Sequence, residues 1–151
     1  MDDPVLRMHM WLEVEGVTFF GLGRTLILER LAQCGSLQKA ARSLGITHEA
    51  ALEKIHQTEQ MFGFKLIERV GGDKPGTSRR LRLTIFGELL SSAYRQWSES
   101  VERFALQQAM EIFPFPCRSY DASKEDIVTG HFSPTQNSST PSRPRLSQAH
   151  R

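Results

Sequence analysis

The feature that most constrains this chain is residues 35–69, which read GSLQKAARSLGITHEAALEKIHQTEQMFGFKLIER. Two helix-length segments with apolar residues three and four positions apart flank a short turn, Leu44-Gly45-Ile46. Ser36 and Thr47 stand where each helix would begin, and both residue types cap helix N-termini well. The pattern predicts a helix-turn-helix, whose second helix normally enters the major groove of DNA. A plain helical hairpin would use the same features.

The apolar spacing predicts which residues of the two helices are buried. On the first helix they are Leu37, Ala40, Ala41 and Leu44; on the second they are Ile46, Ala50 or Ala51, Ile55 and Phe62.

The segment after the two helices predicts a basic β-hairpin. A short strand at 66–69 is followed by VGGDKPGTS at 70–78, where glycine and proline oppose regular structure, and by an alternating strand at 79–83. Six basic and two acidic residues lie between Lys65 and Thr84, so this segment carries 6 − 2 = +4 against +2 for the whole chain. Such a wing would contact phosphates. A solvated loop is the alternative.

The remaining segments complete a predicted architecture. Residues 8–20 alternate around a Glu15-Gly16 turn, which predicts an N-terminal hairpin, and a helix follows at about 24–33. A long helix is expected at about 84–112, capped by Thr84. The row of apolar residues along this helix is longer than one small domain can cover, which favours burial against a second copy in a homodimer. The expected dimerisation residues are Leu90, Ala93, Trp97, Val101 and Phe104.

The helix-turn-helix resembles that of LysR-type regulators, with "AARSLGIT…LIER" in register. Residues 8–97 resemble the DNA-binding domain of the molybdate-responsive regulator ModE more closely, through WLEVEGVTFFGLGR, CGSLQKAARSLGIT, LIERVGGDKPGTSRRLRLT and LTIFGELLSSAYR. The resemblance implies an α+β winged helix-turn-helix with an N-terminal β-hairpin and a long C-terminal dimerisation helix. It also implies a bacterial transcription regulator that binds double-stranded DNA as a homodimer.

The expected domain organisation is a DNA-binding domain at 1–113 and a disordered polar tail at 114–151, rich in proline, serine and threonine. The tail has neither the length nor the β pattern of a molybdate-binding domain, so molybdate sensing is not expected.

Candidate DNA contacts fall into two groups. Residues at the start of the second helix are the candidates for base contacts: Thr47, His48, Glu49 and Glu53. Polar and basic residues of the first helix and the wing are the candidates for backbone contacts: Ser36, Lys39, Arg42, Lys74, Arg79, Arg80 and Arg82.

The second helix departs from ModE-like proteins, which usually place basic residues just after its cap. Between Thr47 and Gly63 there are one lysine and three glutamates, 1 − 3 = −2. Either Glu49 or Glu53 accepts from a cytosine, or the helix binds DNA weakly.

Other function classes receive little support. Cys34 and Cys117 belong to no metal-ligand pattern, and no nucleophile–base pair or carboxylate constellation is evident. No apolar run is long enough to cross a membrane, so a cytoplasmic protein is expected. We therefore expect no enzyme activity, no cofactor and no metal. The alternative function is a winged-helix protein-interaction module with little or no DNA affinity.

Overall fold

A computed structural model of the chain describes residues 2–72 and 80–120. Four helices and three two-stranded sheets make up this part of the molecule. In chain order the elements are β1 (Val5–Leu6), β2 (Trp11–Val14), β3 (Val17–Gly21), α1 (Leu22–Cys34), α2 (Leu37–Ser43), α3 (His48–Phe62), β4 (Ile67–Val70), β5 (Arg80–Leu83), α4 (Ile85–Ile112) and β6 (Arg118–Ser119). The predicted α+β winged helix-turn-helix class is confirmed.

The N-terminal hairpin consists of β2 and β3, which pair antiparallel around the predicted turn. Glu15 and Gly16 both have positive φ, 51° and 78°, as a tight two-residue hairpin turn requires. The pairing starts at Trp11 rather than at Met8, because its partner strand ends at Gly21, where α1 begins.

Local sequence signals position the helices well. The Ser36 side chain accepts a hydrogen bond from the Lys39 amide at 3.2 Å, and Thr47 accepts from Ala50 at 3.1 Å. Each bond satisfies an N–H group that has no partner within its own helix. Gly45 in the turn has φ 68°, a left-handed conformation that costs glycine little. The predicted caps and turn of the helix-turn-helix are therefore confirmed.

The hydrophobic core lies around α1. Ile27, Leu28 and Leu31 are at most 1% exposed, and α2, α3, α4 and β5 all pack against this helix. The core side of α2 is the predicted one, with Leu37, Ala40 and Ala41 buried.

On α3, the sequence predicted either Ala50 or Ala51 as a core residue. The structure shows that Ala51 is the fully buried one, together with Ile55. The other predicted core residues of the motif, Leu44, Ile46 and Phe62, are half-buried at its edge. They lie near the helix ends, where fewer neighbours cover them.

The wing consists of β4 and β5, which pair antiparallel with Glu68 opposite Arg82. Its tip, residues 73–79, lies outside the described residues. At its base, the backbone approaches α4 closely: a Cβ on Gly87 would lie 2.3 Å from the Leu66 carbonyl oxygen. Only glycine permits this contact between wing and helix.

Helix α4 begins at Ile85 after a Thr84 cap and ends at Ile112, as predicted. The chain then turns back, and β6 pairs in parallel with β1, with Val5 opposite Arg118. We call this pairing the terminal clasp. It lies within the segment predicted to be disordered from residue 114, so the defined structure continues to Tyr120. Residues 121–151, the rest of the predicted tail, lie outside the described part.

Candidate nucleic-acid interface

The start of α3 presents the predicted base-contacting residues on one exposed surface. Thr47, His48 and Glu49 form the first turn, and Glu53 lies one turn further along the same side. The Thr47 hydroxyl accepts from the Ala50 amide and keeps its own proton for donation. We call α3 the recognition helix, because in a helix-turn-helix the second helix is the one that enters the groove.

The solvent-exposed charge of the recognition helix is less negative than its formal net charge, because Glu59 does not face solvent. Its side chain is only 6% exposed, and one carboxylate oxygen accepts from the buried Leu66 amide at 2.8 Å. The other oxygen lies 3.8 Å from the Lys65 ammonium. Without Glu59, the helix presents Glu49 and Glu53 against Lys54, or 1 − 2 = −1. The acidity that opposes DNA is therefore smaller than the net charge of −2 indicates.

Helix α2 carries the predicted backbone contacts. Lys39 and Arg42 are exposed on it, and neither makes a salt bridge within the described residues. Ser36 is half-buried and uses its hydroxyl as the helix cap. Two exposed cations thus lie on the helix that precedes the recognition helix, where backbone phosphates pass in this motif.

Two arginines in the described part of the wing have partners that its composition did not predict. The Arg82 Nε donates to the Glu68 carboxylate at 2.7 Å, across the two strands. Arg80 lies against the turn between α1 and α2, where a Cβ on Gly35 would be 2.7 Å from its Nε. Lys74 and Arg79 lie outside the described residues. Of the three wing arginines that the structure describes, Arg80 and Arg82 thus have a protein contact, and Arg69 on β4 is exposed.

Arg24 is a site residue that the sequence interpretation missed. It is 6% exposed at the start of α1. Its guanidinium donates to the Thr18 carbonyl and the Gln57 side-chain oxygen, both at 2.9 Å, and to the Lys54 carbonyl at 3.3 Å. Burial lowers the pKa of this guanidinium from its ordinary value. One signal was present in the sequence: Arg24 falls on the same helical face as Ile27, Leu28 and Leu31, and a charged side chain on a buried face requires polar partners.

The predicted dimerisation residues of α4 divide into two groups. Leu90 packs on the core of its own chain, and Val101 is half-buried. Ala93 and Trp97 are exposed, and Phe104 is 63% exposed. We call these last three residues, together with Leu89 at 59% exposure, the α4 stripe.

Tyr94 separates the α4 stripe from the core. Its ring is buried and its hydroxyl donates to the Met10 carbonyl at 2.9 Å. Desolvation raises the pKa of this phenol, and Arg95 opposes the shift.

Two negative findings apply to residues 2–72 and 80–120. No three histidine, cysteine or carboxylate side chains there are grouped so that they could hold a metal ion. No helix in the same ranges combines the length and apolarity needed to span a bilayer.

Comparison with known proteins bears on the type of the helix-turn-helix. Residues 22–88 match the family model for the bacterial regulatory helix-turn-helix protein, lysR family. A search of curated proteins finds no match. Among solved structures, the crystal structure of ArgP from Mycobacterium tuberculosis is similar, with 18% identity and a TM-score of 0.41. The similarity covers 68% of this chain and 43% of that one.

The family match runs from the first residue of α1 into the first turn of α4 and includes both helices of the motif. Residues 22–88 therefore form a helix-turn-helix of the LysR type. This type belongs to DNA-binding transcription regulators and not to enzymes.

Proposed function

We propose that this chain is a bacterial transcription regulator of the ModE-like kind that binds double-stranded DNA as a homodimer. The observation that carries the proposal is the exposed N-terminus of the recognition helix, preceded by a helix whose Lys39 and Arg42 make no salt bridge within residues 2–72 and 80–120. A helix N-terminus carries positive potential from its unpaired N–H groups and favours a nearby phosphate. Cations and N–H groups together form the electrostatic footprint that this motif needs for the DNA backbone.

Base contacts in this proposal come from Thr47, His48, Glu49 and Glu53. The hydroxyl and the imidazole can donate to or accept from base edges, whereas the two carboxylates only accept. Acceptors suit cytosine N4 and repel phosphates, so the helix contributes more to sequence preference than to affinity. Affinity would come from α2 and from the wing, including Lys74 and Arg79.

Dimerisation rests on the α4 stripe. Leu89, Trp97 and Phe104 are large apolar residues left exposed along one helix, and such patches mark protein interfaces. A second copy packed along this stripe would place two recognition helices on one duplex. The site would then be palindromic, with half-sites about 34–36 Å apart or a multiple of that spacing.

A gel-shift assay against genomic fragments at two salt concentrations tests the proposal. The wild-type chain should bind with a steep salt dependence and a retained site preference. Arg42→Gln should lower affinity similarly for all fragments and reduce the logarithmic salt slope by about one, because one phosphate contact is lost. Arg103→Gln is the matched control: it makes the same charge change at an exposed arginine in the second half of α4. Equal effects of the two variants would contradict the proposed orientation on DNA.

A protein-interaction module is the second candidate function. The exposed carboxylates Glu49 and Glu53 favour it, since they weaken attraction to DNA at the position where the helix would enter the groove. Absence of salt-dependent binding to any fragment in the same assay would support this alternative and contradict the first.

A further inference from the structure

The bond between Arg24 and Gln57 fixes which way the Gln57 amide points. An arginine side chain has only donors, so the Gln57 atom that lies 2.9 Å from its Nη2 must be the amide oxygen. The amide nitrogen then faces the other way, along the exposed side of the recognition helix. There it donates to the Glu53 carboxylate at 3.3 Å, one turn earlier.

The anchor of this chain of bonds is buried and held at several points. Arg24 is 6% exposed and also donates to the Thr18 carbonyl of β3 and the Lys54 carbonyl of α3. A guanidinium with these partners cannot turn away without losing three hydrogen bonds at once. The link from Arg24 through Gln57 to Glu53 therefore runs from the protein interior to the exposed face of the helix.

The link changes what each side chain can offer a base pair. A free glutamine recognises adenine by presenting its oxygen and its nitrogen together. Gln57 cannot do so while its oxygen faces Arg24. Glu53 receives one hydrogen bond on Oε1 and keeps Oε2 as an acceptor in a fixed position. By contrast, the Glu49 carboxylate has no hydrogen-bond partner among the residues that the structure describes.

We propose that Arg24 and Gln57 are positioning residues that hold Glu53 as the acceptor for a cytosine N4 amino group in the major groove. This inference rests on the proposed DNA-binding function and adds the base class and the residues that set it. A fixed acceptor discriminates better than a mobile one, because less side-chain freedom is lost on binding. Glu53, and not Glu49, is then the carboxylate that sets a cytosine preference.

The test starts from the preferred site of the full-length chain, selected from a random DNA library. Binding is then measured to every single base-pair variant of that site. Glu53→Ala should abolish a preference for cytosine at one position, a loss of about tenfold in discrimination. Gln57→Met keeps the side-chain length but removes both hydrogen bonds of the side-chain amide. It should lower the preference at the same position by about threefold or more.

Two matched controls separate positioning from general effects. Glu49→Ala removes an exposed carboxylate of the same helix that lacks the link, and Gln60→Met removes an exposed glutamine one turn later. Gln60→Met should leave every base preference unchanged, whereas any preference that Glu49→Ala alters should lie at a different position from the one set by Glu53. Glu49→Ala and Glu53→Ala should raise affinity for DNA of unrelated sequence alike, since each removes one negative charge. A purely structural role of Gln57 would change melting temperature without altering base preference at one position.

Arg24→Lys tests the buried end of the link, because lysine keeps the charge but cannot hold three acceptors in this geometry. A folded Arg24→Lys chain should show the same selective loss as Gln57→Met. If this variant does not fold, the two Gln57 and Gln60 variants still decide the question.

The outcomes separate this inference from the function on which it rests. Specific binding by the wild-type chain, together with an unchanged base preference in Glu53→Ala or Gln57→Met, overturns the inference alone. Binding without any base preference overturns the inference and also contradicts the site preference expected of the wild-type chain. Failure of the wild-type chain to bind DNA at low salt overturns both.

Discussion

The recognition helix α3 and the long helix α4 carry similar apolar spacing in sequence but are covered very differently. Ala51 and Ile55 of α3 are fully buried within one chain. On α4, Tyr94 is buried, whereas Phe104 and Ile112 are 63% and 71% exposed. The apolar face of α3 is thus covered by its own chain. Helix α4 extends past the hydrophobic core and leaves apolar side chains exposed in its second half.

This difference shows that an amphipathic pattern predicts burial but not the partner that provides it. The inner face of α3 also carries polar groups, and each has an internal partner. The Thr58 hydroxyl bonds the Phe19 and Lys54 carbonyls, and Glu59 accepts from the Leu66 amide. Buried polar groups with specific partners fix the position and orientation of a helix within its own chain. The exposed apolar residues of α4, by contrast, can be buried only against another surface.

The largest expected difference between the two helices is in stability. Ile55→Ala should lower the free energy of unfolding by about 2–5 kcal/mol, because it removes a fully buried side chain and leaves a cavity. Phe104→Ala, at a site 63% exposed, should change it by less than about 0.5 kcal/mol. Urea denaturation, performed at protein concentrations low enough for the chain to be monomeric, measures both changes in the free energy of unfolding. Equal losses would mean that α4 is as well covered as α3.

The second largest effect concerns assembly. Trp97→Asp should weaken the homodimer by about 2 kcal/mol or more, or roughly 30-fold in Kd, as expected for a central aromatic residue of an interface. Met61→Asp is the control, since it introduces the same charge at a 44%-exposed apolar residue of α3. Sedimentation velocity measures the dimer in each case. A wild-type chain that stays monomeric at tens of micromolar would remove the basis for the α4 stripe as an interface.

The smallest effect distinguishes the two threonine caps. Thr47→Ala should cost about 0.5–2 kcal/mol, the usual loss for an N-cap. Thr84→Ala should cost about 0.5–1.5 kcal/mol more, because its hydroxyl caps α4 and also donates to the Lys65 carbonyl at 2.6 Å. Denaturation midpoints measure both losses, and serine at each position should restore most of the stability. Equal losses at the two sites would contradict a contribution from the Lys65 bond.

Local chemistry made most of the fold predictable from the sequence. The caps Ser36 and Thr47, the glycine of the turn and the helical spacing depend only on neighbouring residues, and all of them have the expected form. The exposed start of α3 followed from the same signals.

Contacts between distant segments could not be predicted in the same way. Arg24 meets Gln57 across 33 positions, and a count of charges cannot reveal that Glu59 accepts from the Leu66 amide. The terminal clasp was missed because the proline-, serine- and threonine-rich composition of the whole C-terminal segment outweighed the short stretch at 113–120. The Arg82 contact depends on the pairing of the two wing strands, and the Arg80 contact depends on how the wing lies against the turn at Gly35.

The terminal clasp has a consequence for the order in which the chain folds. Its partners Val5 and Arg118 are 113 positions apart (118 − 5), so closing this loop costs more entropy than any neighbouring contact. Strand β1 is synthesised first but stays unpaired until β6 leaves the ribosome. We expect the pairing to form last and, with only two residues in each strand, to open first. A chain cut after residue 113 would keep its helix-turn-helix and lose the partner of its first strand.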